Sequence, residues 1–96
     1  MASVLEVLEQ EEAKWRKEPF HRYLGMEDGI YSYEVECQRH TFDIEIHTKK
    51  NADSDEIVVM LEVSRKAIVG AYIGKAKYFV INRDNESRDA TPDEAF

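Results

Sequence analysis

The chain has 96 residues, 20 acidic and 13 basic side chains, and a formal net charge of −7. That length excludes a second domain around a deep cleft, and the acidic balance argues against a general nucleic-acid binder. Its single cysteine excludes an intrachain disulfide framework and a multi-thiolate zinc site.

Residues 3–17 read as one amphipathic helix. Ser3 and Glu6 have capping-box spacing, and Val4, Leu5, Leu8 and Trp15 fall near one face, with Val7 and Ala13 beside it. Acids fill the first half and Lys14, Arg16 and Lys17 the second, which complements the helix dipole; Glu12 and Arg16 stand four apart, acid first. Pro19 ends the helix, and Phe20, Tyr23 and Leu24 form a further helical turn stopped by Gly25.

After a connector at 26–29 the period changes to two. Tyr31, Tyr33, Val35 and Cys37 alternate with polar residues in one half-buried strand, and Phe42, Ile44 and Ile46 do so in a second. Apolar parity switches from odd to even between them, so a hairpin or bulge is expected near 38–40, without an Asn-Gly signal. Residues 49–55 read as a polar loop. Residues 57–63 read as a central strand, or one whose outer face is also covered, because Val58 and Met60 supplement Ile57, Val59, Leu61 and Val63. Arg65 and Lys66 mark an expected turn. Strands are expected at 68–73 and 78–81, either separated by Gly74-Lys75-Ala76 or joined with bulges at Gly70 and Gly74. Residues 83–96 read as a polar, flexible tail.

These elements specify a two-layer α+β domain over 1–82, with one N-terminal amphipathic helix packed on a four- to five-stranded antiparallel meander. Leu5, Leu8 and Trp15 are expected to meet Tyr33, Val35, Phe42, Ile44, Val59 and Leu61. No apolar run approaches the ~20 residues of a membrane helix. No basic segment precedes an apolar stretch at the start, so a cytoplasmic protein is expected.

Several constellations invite chemistry. Gly29-Ile30-Tyr31 and Tyr72-Ile73-Gly74, followed by Lys75-Ala76-Lys77, resemble the two signatures of the GIY-YIG nucleases. The resemblance implies Tyr31 and Tyr72 on neighbouring strands, with Arg83 as the nearest arginine. Here 40 residues separate the triplets instead of about ten, and a strand-forming segment follows where that family has a helix. Gly70 to Ala76 is one residue short of a phosphate loop and has Ala76 where a magnesium-binding hydroxyl belongs, so it reads as strand. Asp43, Glu45 and His47 share one strand face but span ~13 Å, which reads as a solvated face with no metal. His21 reads as a packing residue and Cys37 as a buried, inert thiol.

Charge distribution is more informative. From Val63 to Arg83 there are five bases and no acid, so +5 stands against −12 in the rest. The expected function is a non-enzymatic protein-binding module without cofactor. It would use an uncovered sheet face or a basic edge for a protein partner or a second copy. Arg65, Lys66, Tyr72, Lys75, Lys77 and Tyr78 are the candidate contact residues, with Val58 and Met60 on the same uncovered surface. The alternative is an acidic inhibitor that presents the carboxylates of helix and tail to a basic nucleic-acid-handling protein. A GIY-YIG-like nuclease is the third reading.

Overall fold

The computed structural model describes residues 3–26, 30–51, 55–66 and 72–91. Helices α1 (Val4–Arg16) and α2 (Phe20–Leu24) precede five strands: β1 (Ile30–Cys37), β2 (His40–Asn51), β3 (Glu56–Lys66), β4 (Tyr72–Asn82) and β5 (Ser87–Asp89). The strands form one open antiparallel sheet in chain order, with α1 packed across β3 and β4. This is the α+β meander that the periodicities specify.

Local chemistry explains the helices. The Ser3 hydroxyl accepts from the Glu6 backbone N–H at 3.1 Å, and Arg16 pairs with Glu12 at 3.2 Å. Pro19 is the N-cap of α2 and Gly25 its C-cap. The first N–H of α2, from Phe20, donates to the Asn85 side chain at 2.7 Å, which ties α2 to the β4–β5 turn. The buried stripe of α1 is Val4, Val7, Leu8, Glu11 and Trp15. Leu5 does not join it. It lies about 100° around the helix from Val4, and it is 44 % exposed.

The sheet buries one face. Phe42, Ile44 and Ile46 of β2, Ile57, Val59, Leu61 and Val63 of β3, and Phe79 and Ile81 of β4 meet α1 and α2 in one core. Tyr33, Val35 and Cys37 flank it half-buried, so Cys37 is less enclosed than expected; His21 is exposed rather than packed. On the opposite face Val58 and Val80 are also buried, against Tyr78 and Ala90. That small cluster exists because the chain folds back after Asn82 and adds β5 beside Phe79, Val80 and Ile81. The sheet therefore extends past residue 82, where composition alone set its end.

Three further boundaries differ from the sequence reading. β2 runs on through 49–51, and Arg65 and Lys66 continue β3 instead of turning. β4 is one unbroken strand in regular register, so Gly74 is no bulge. A Cβ there would lie 3.4 Å from the Ser64 Cβ, at the limit of ordinary van der Waals contact. Gly29, Gly70 and the segments 52–54, 67–71 and 92–96 lie outside the described residues.

The parity switch resolves as a two-residue hairpin. Cys37 pairs with His40, and Gln38 and Arg39 have φ of 49° and 70°. Two consecutive left-handed residues make a type I′ turn, which suits the strand twist but strains residues that carry a Cβ. Gln38→Asn with Arg39→Gly is therefore expected to stabilise the fold by about 0.5–1 kcal/mol, because relief of strain outweighs the added chain entropy. A rise of about 4 °C in the melting midpoint, read by circular dichroism, checks it.

Candidate functional site

The exposed face of the sheet carries the polar members of each alternating strand. Register places them in rows across the strands: Glu34–Asp43–Ser64–Gly74, Ser32–Glu45–Glu62–Ala76, and Ile30–His47–Met60–Tyr78. Glu34 thus stands directly opposite Asp43, and Glu45 directly opposite Glu62. Opposed side chains on one sheet face have Cβ atoms about 5 Å apart, and like charges at that distance destabilise the pairing. Glu36, opposite Thr41, continues the acidic patch towards the hairpin. An open depression of about 470 Å³ runs beside Ser32, Glu34, Asp43, Glu45 and Ser64.

Among the described residues no Lys or Arg forms an ion pair with these acids: the ion pairs there are Lys14–Glu11, Arg16–Glu12, Arg16–Asp89, Arg83–Asp55 and Arg88–Glu56, none of which involves Glu34, Glu36, Asp43, Glu45 or Glu62. Burial pushes the Glu62 carboxyl above its ordinary range. The Glu45 charge and a hydrogen bond between the two carboxyls push it the same way, and His47 opposes them. Among the described residues no group of three or more His, Cys, Asp or Glu is arranged to hold a metal ion. Asp43, Glu45 and His47 lie along β2 in three successive rows of this face.

The basic segment is divided between sheet faces. Lys75 and Lys77 stand opposite Val63 and Leu61 on the helix side, and Arg65 stands opposite Ile73 beside them. Tyr78, opposite Met60, is on the open face, half-buried against Val58 and Val80. Lys66 and Tyr72 pair at the far end of the β3–β4 ladder. Of the apolar contact candidates, Val58 is already covered. Among the described residues β5 pairs only with 79–81 and no strand pairs with the outer edge of β4 at 72–77, which carries exposed Lys75 and Lys77. Lysines there obstruct pairing with another chain.

The two tyrosines of the nuclease resemblance are not on neighbouring strands. Tyr31 lies in β1 and Tyr72 in β4, with two strands between them. In register Tyr31 aligns through Ile46 and Leu61 with Lys77, five positions from Tyr72. Their backbones are therefore ~14 Å apart across the sheet and ~17 Å along it. Arg83 pairs with Asp55 at 3.0 Å, and its guanidinium lies 5.6 Å from the Phe20 ring.

On the helix side an aromatic cluster fastens β1 to α1. The Trp15 indole N–H donates to the Tyr33 hydroxyl at 2.8 Å, and the Tyr23 hydroxyl donates to the Trp15 carbonyl. The Arg22 guanidinium lies 5.6 Å from the Trp15 ring and 5.7 Å from the Tyr31 ring. A cleft of about 220 Å³ opens between Lys14, Trp15, Glu18, Arg22, Tyr31 and Tyr33. Burial pushes the Tyr33 hydroxyl up to about 12 and raises Tyr23 as well. Both hold their protons more tightly folded than unfolded, where tyrosine titrates near 10. Their contribution is thus full below pH 10 and declines as pH rises through 12 and beyond. Urea midpoints at pH 8, 10 and 11.5 are expected to fall steeply above pH 10, and less so in Tyr23→Phe.

Compared with known proteins, the chain matches no family model, no curated protein and no solved structure. Among the described residues no helix is long and apolar enough to cross a membrane.

Proposed function

We propose that this chain is a non-enzymatic protein-binding module whose open sheet face receives a basic protein partner. One observation carries this reading: two like-charged pairs, Glu34 with Asp43 and Glu45 with Glu62, stand directly opposed on the face of the sheet away from α1 and α2, where no helix or strand of the described residues lies over them. Such pairs weaken a sheet, and a cationic partner would relieve the repulsion on binding. The arrangement suits recognition better than stability.

The acidic-inhibitor reading loses part of its surface. Two of its helix carboxylates, Glu11 and Glu12, and Asp89 of the tail are already paired with Lys14 and Arg16. The carboxylates of β1, β2 and β3 are better placed to meet a partner. Affinity capture from the native host at 50 mM and 300 mM salt, with the chain and its Glu62→Lys variant, tests the proposal. Capture of a basic protein that weakens with salt and with the substitution supports it. Capture indifferent to both would refute it.

A further inference from the structure

The outer edge of β1 is the feature that the acidic face leaves unused. Among the described residues no strand pairs with it, and Ile30 and Tyr31 are 61 % and 41 % exposed. Strand edges are ordinarily blunted by charged side chains, above all lysine, or by proline, a bulge or a covering segment. The charges on β1 are the acids Glu34 and Glu36, which repel an acidic chain but not a basic one. β4 has lysines and β5 on its open side. β1 has neither lysine nor proline, and its register with β2 is unbroken over eight residues.

Hairpin geometry fixes which backbone groups point outward. In a two-residue I′ hairpin the flanking residues exchange both hydrogen bonds, and the pattern then alternates along the ladder. Cys37, Val35, Tyr33 and Tyr31 therefore bond to β2. Ile30, Ser32, Glu34 and Glu36 direct N–H and C=O away from the sheet, and the last three place polar side chains on the acidic face. The helix-side neighbours are Tyr31, Tyr33 and Val35, beside the 220 Å³ cleft.

We infer that this edge takes up an extended basic segment of the partner as a sixth, antiparallel strand. The segment alternates Lys or Arg with Val, Ile or an aromatic residue. Its cations lie against Glu34 and Glu36 and reach towards Asp43 and Glu45, and its apolar side chains lie beside Tyr31, Tyr33 and Val35. Charge complementarity selects this occupant over a second copy, since two copies would bring together chains of −7 each. The inference rests on the basic-partner reading above and adds the mode of recognition.

The test uses a blocked eight-residue peptide that alternates lysine with valine and tyrosine, and a control of the same composition with the lysines in one block. The alternating peptide is expected to bind at least tenfold more tightly than the control. It is also expected to slow amide exchange at Ile30, Ser32, Glu34 and Glu36 in the unmodified chain, followed by NMR. Ser32→Pro removes an outward N–H and no ladder bond, so the fold is expected to survive while affinity falls at least tenfold. Unchanged exchange at those four amides would overturn the inference, whatever Ser32→Pro does to the fold. Ser32→Pro binding as the parent does, while Glu62→Lys binds weakly, would leave docking on the face and remove strand addition. Protection of the same amides in concentrated protein without peptide would assign the edge to a second copy and overturn the proposal.

Discussion

Trp15→Ala is expected to remove about 3–5 kcal/mol of stability, the range for deleting a buried aromatic side chain. Domains of this size have about 5–15 kcal/mol in total, so the variant should be marginally folded. Trp15 is 3 % exposed and joins three parts of the molecule. Its ring lies 6.1 Å from Tyr23 of α2, and 6.0 Å and 6.3 Å from Tyr31 and Tyr33 of β1, by centroids. Its N–H supplies the bond to the Tyr33 hydroxyl. Removal opens a cavity and unfastens the edge strand from α1. Trp15→Phe retains a ring and loses only the donor, and Tyr33 is exposed enough for water to replace it, so about 1 kcal/mol is expected. Urea denaturation followed by far-ultraviolet circular dichroism measures both, since the only tryptophan is the one removed. A loss below 1 kcal/mol in Trp15→Ala would show that α1 does not depend on this anchor.

Glu62→Lys should separate stability from recognition. In the parent, Glu62 faces Glu45 and its carboxyl holds a proton more tightly than in the unfolded chain. The cost of the pair is absent at pH below the usual carboxylate range, and it appears as pH rises through the raised folded value. Glu62→Gln is therefore expected to stabilise the chain at pH 7 and to change little at pH 4. Glu62→Lys goes further, replacing repulsion across β2 and β3 by attraction, for a gain of about 1 kcal/mol at neutral pH. The same change alters the acidic face by two charges at its centre, and partner affinity is expected to fall at least tenfold, or about 1.4 kcal/mol. Thermal melts at pH 4 and 7, set beside binding at two salt concentrations, read both effects. A variant that is less stable at pH 7, or that binds undiminished, contradicts the argument.

Much of the architecture was legible because each element carries its own period. Ser3, Pro19 and Gly25 punctuate the helices at the positions where the structure caps them. The odd-to-even switch between Cys37 and Phe42 required a connection at 38–40, and a two-residue turn satisfies it. The acidic face was less legible. Asp43 and Glu45 were visible as neighbours on one strand, but their opposition to Glu34 and Glu62 depends on pairing register, which no single strand contains. The signal was nevertheless within reach: a two-residue loop at Gln38-Arg39 places Glu34 opposite Asp43. For β5 there was no such signal, since Ser87–Asp89 is short, polar and exposed, and it is held by its ladder with β4.

Alternation within each segment determined the helix-on-meander fold and which side chains turn inward, because burial of one face follows directly from local period. Charge sums alone described a basic segment, 63–83, as one surface. Pairing divided it, since alternate residues of a strand project to opposite faces, and sent Lys75 and Lys77 to the helix side and Tyr78 to the other. Tertiary register decided that the acids of β1, β2 and β3, rather than the bases, converge on the face away from the helices, and that among the described residues no strand pairs with the outer edge of β1. Both outcomes depend on which strands become neighbours, a property of the assembled sheet that composition does not contain.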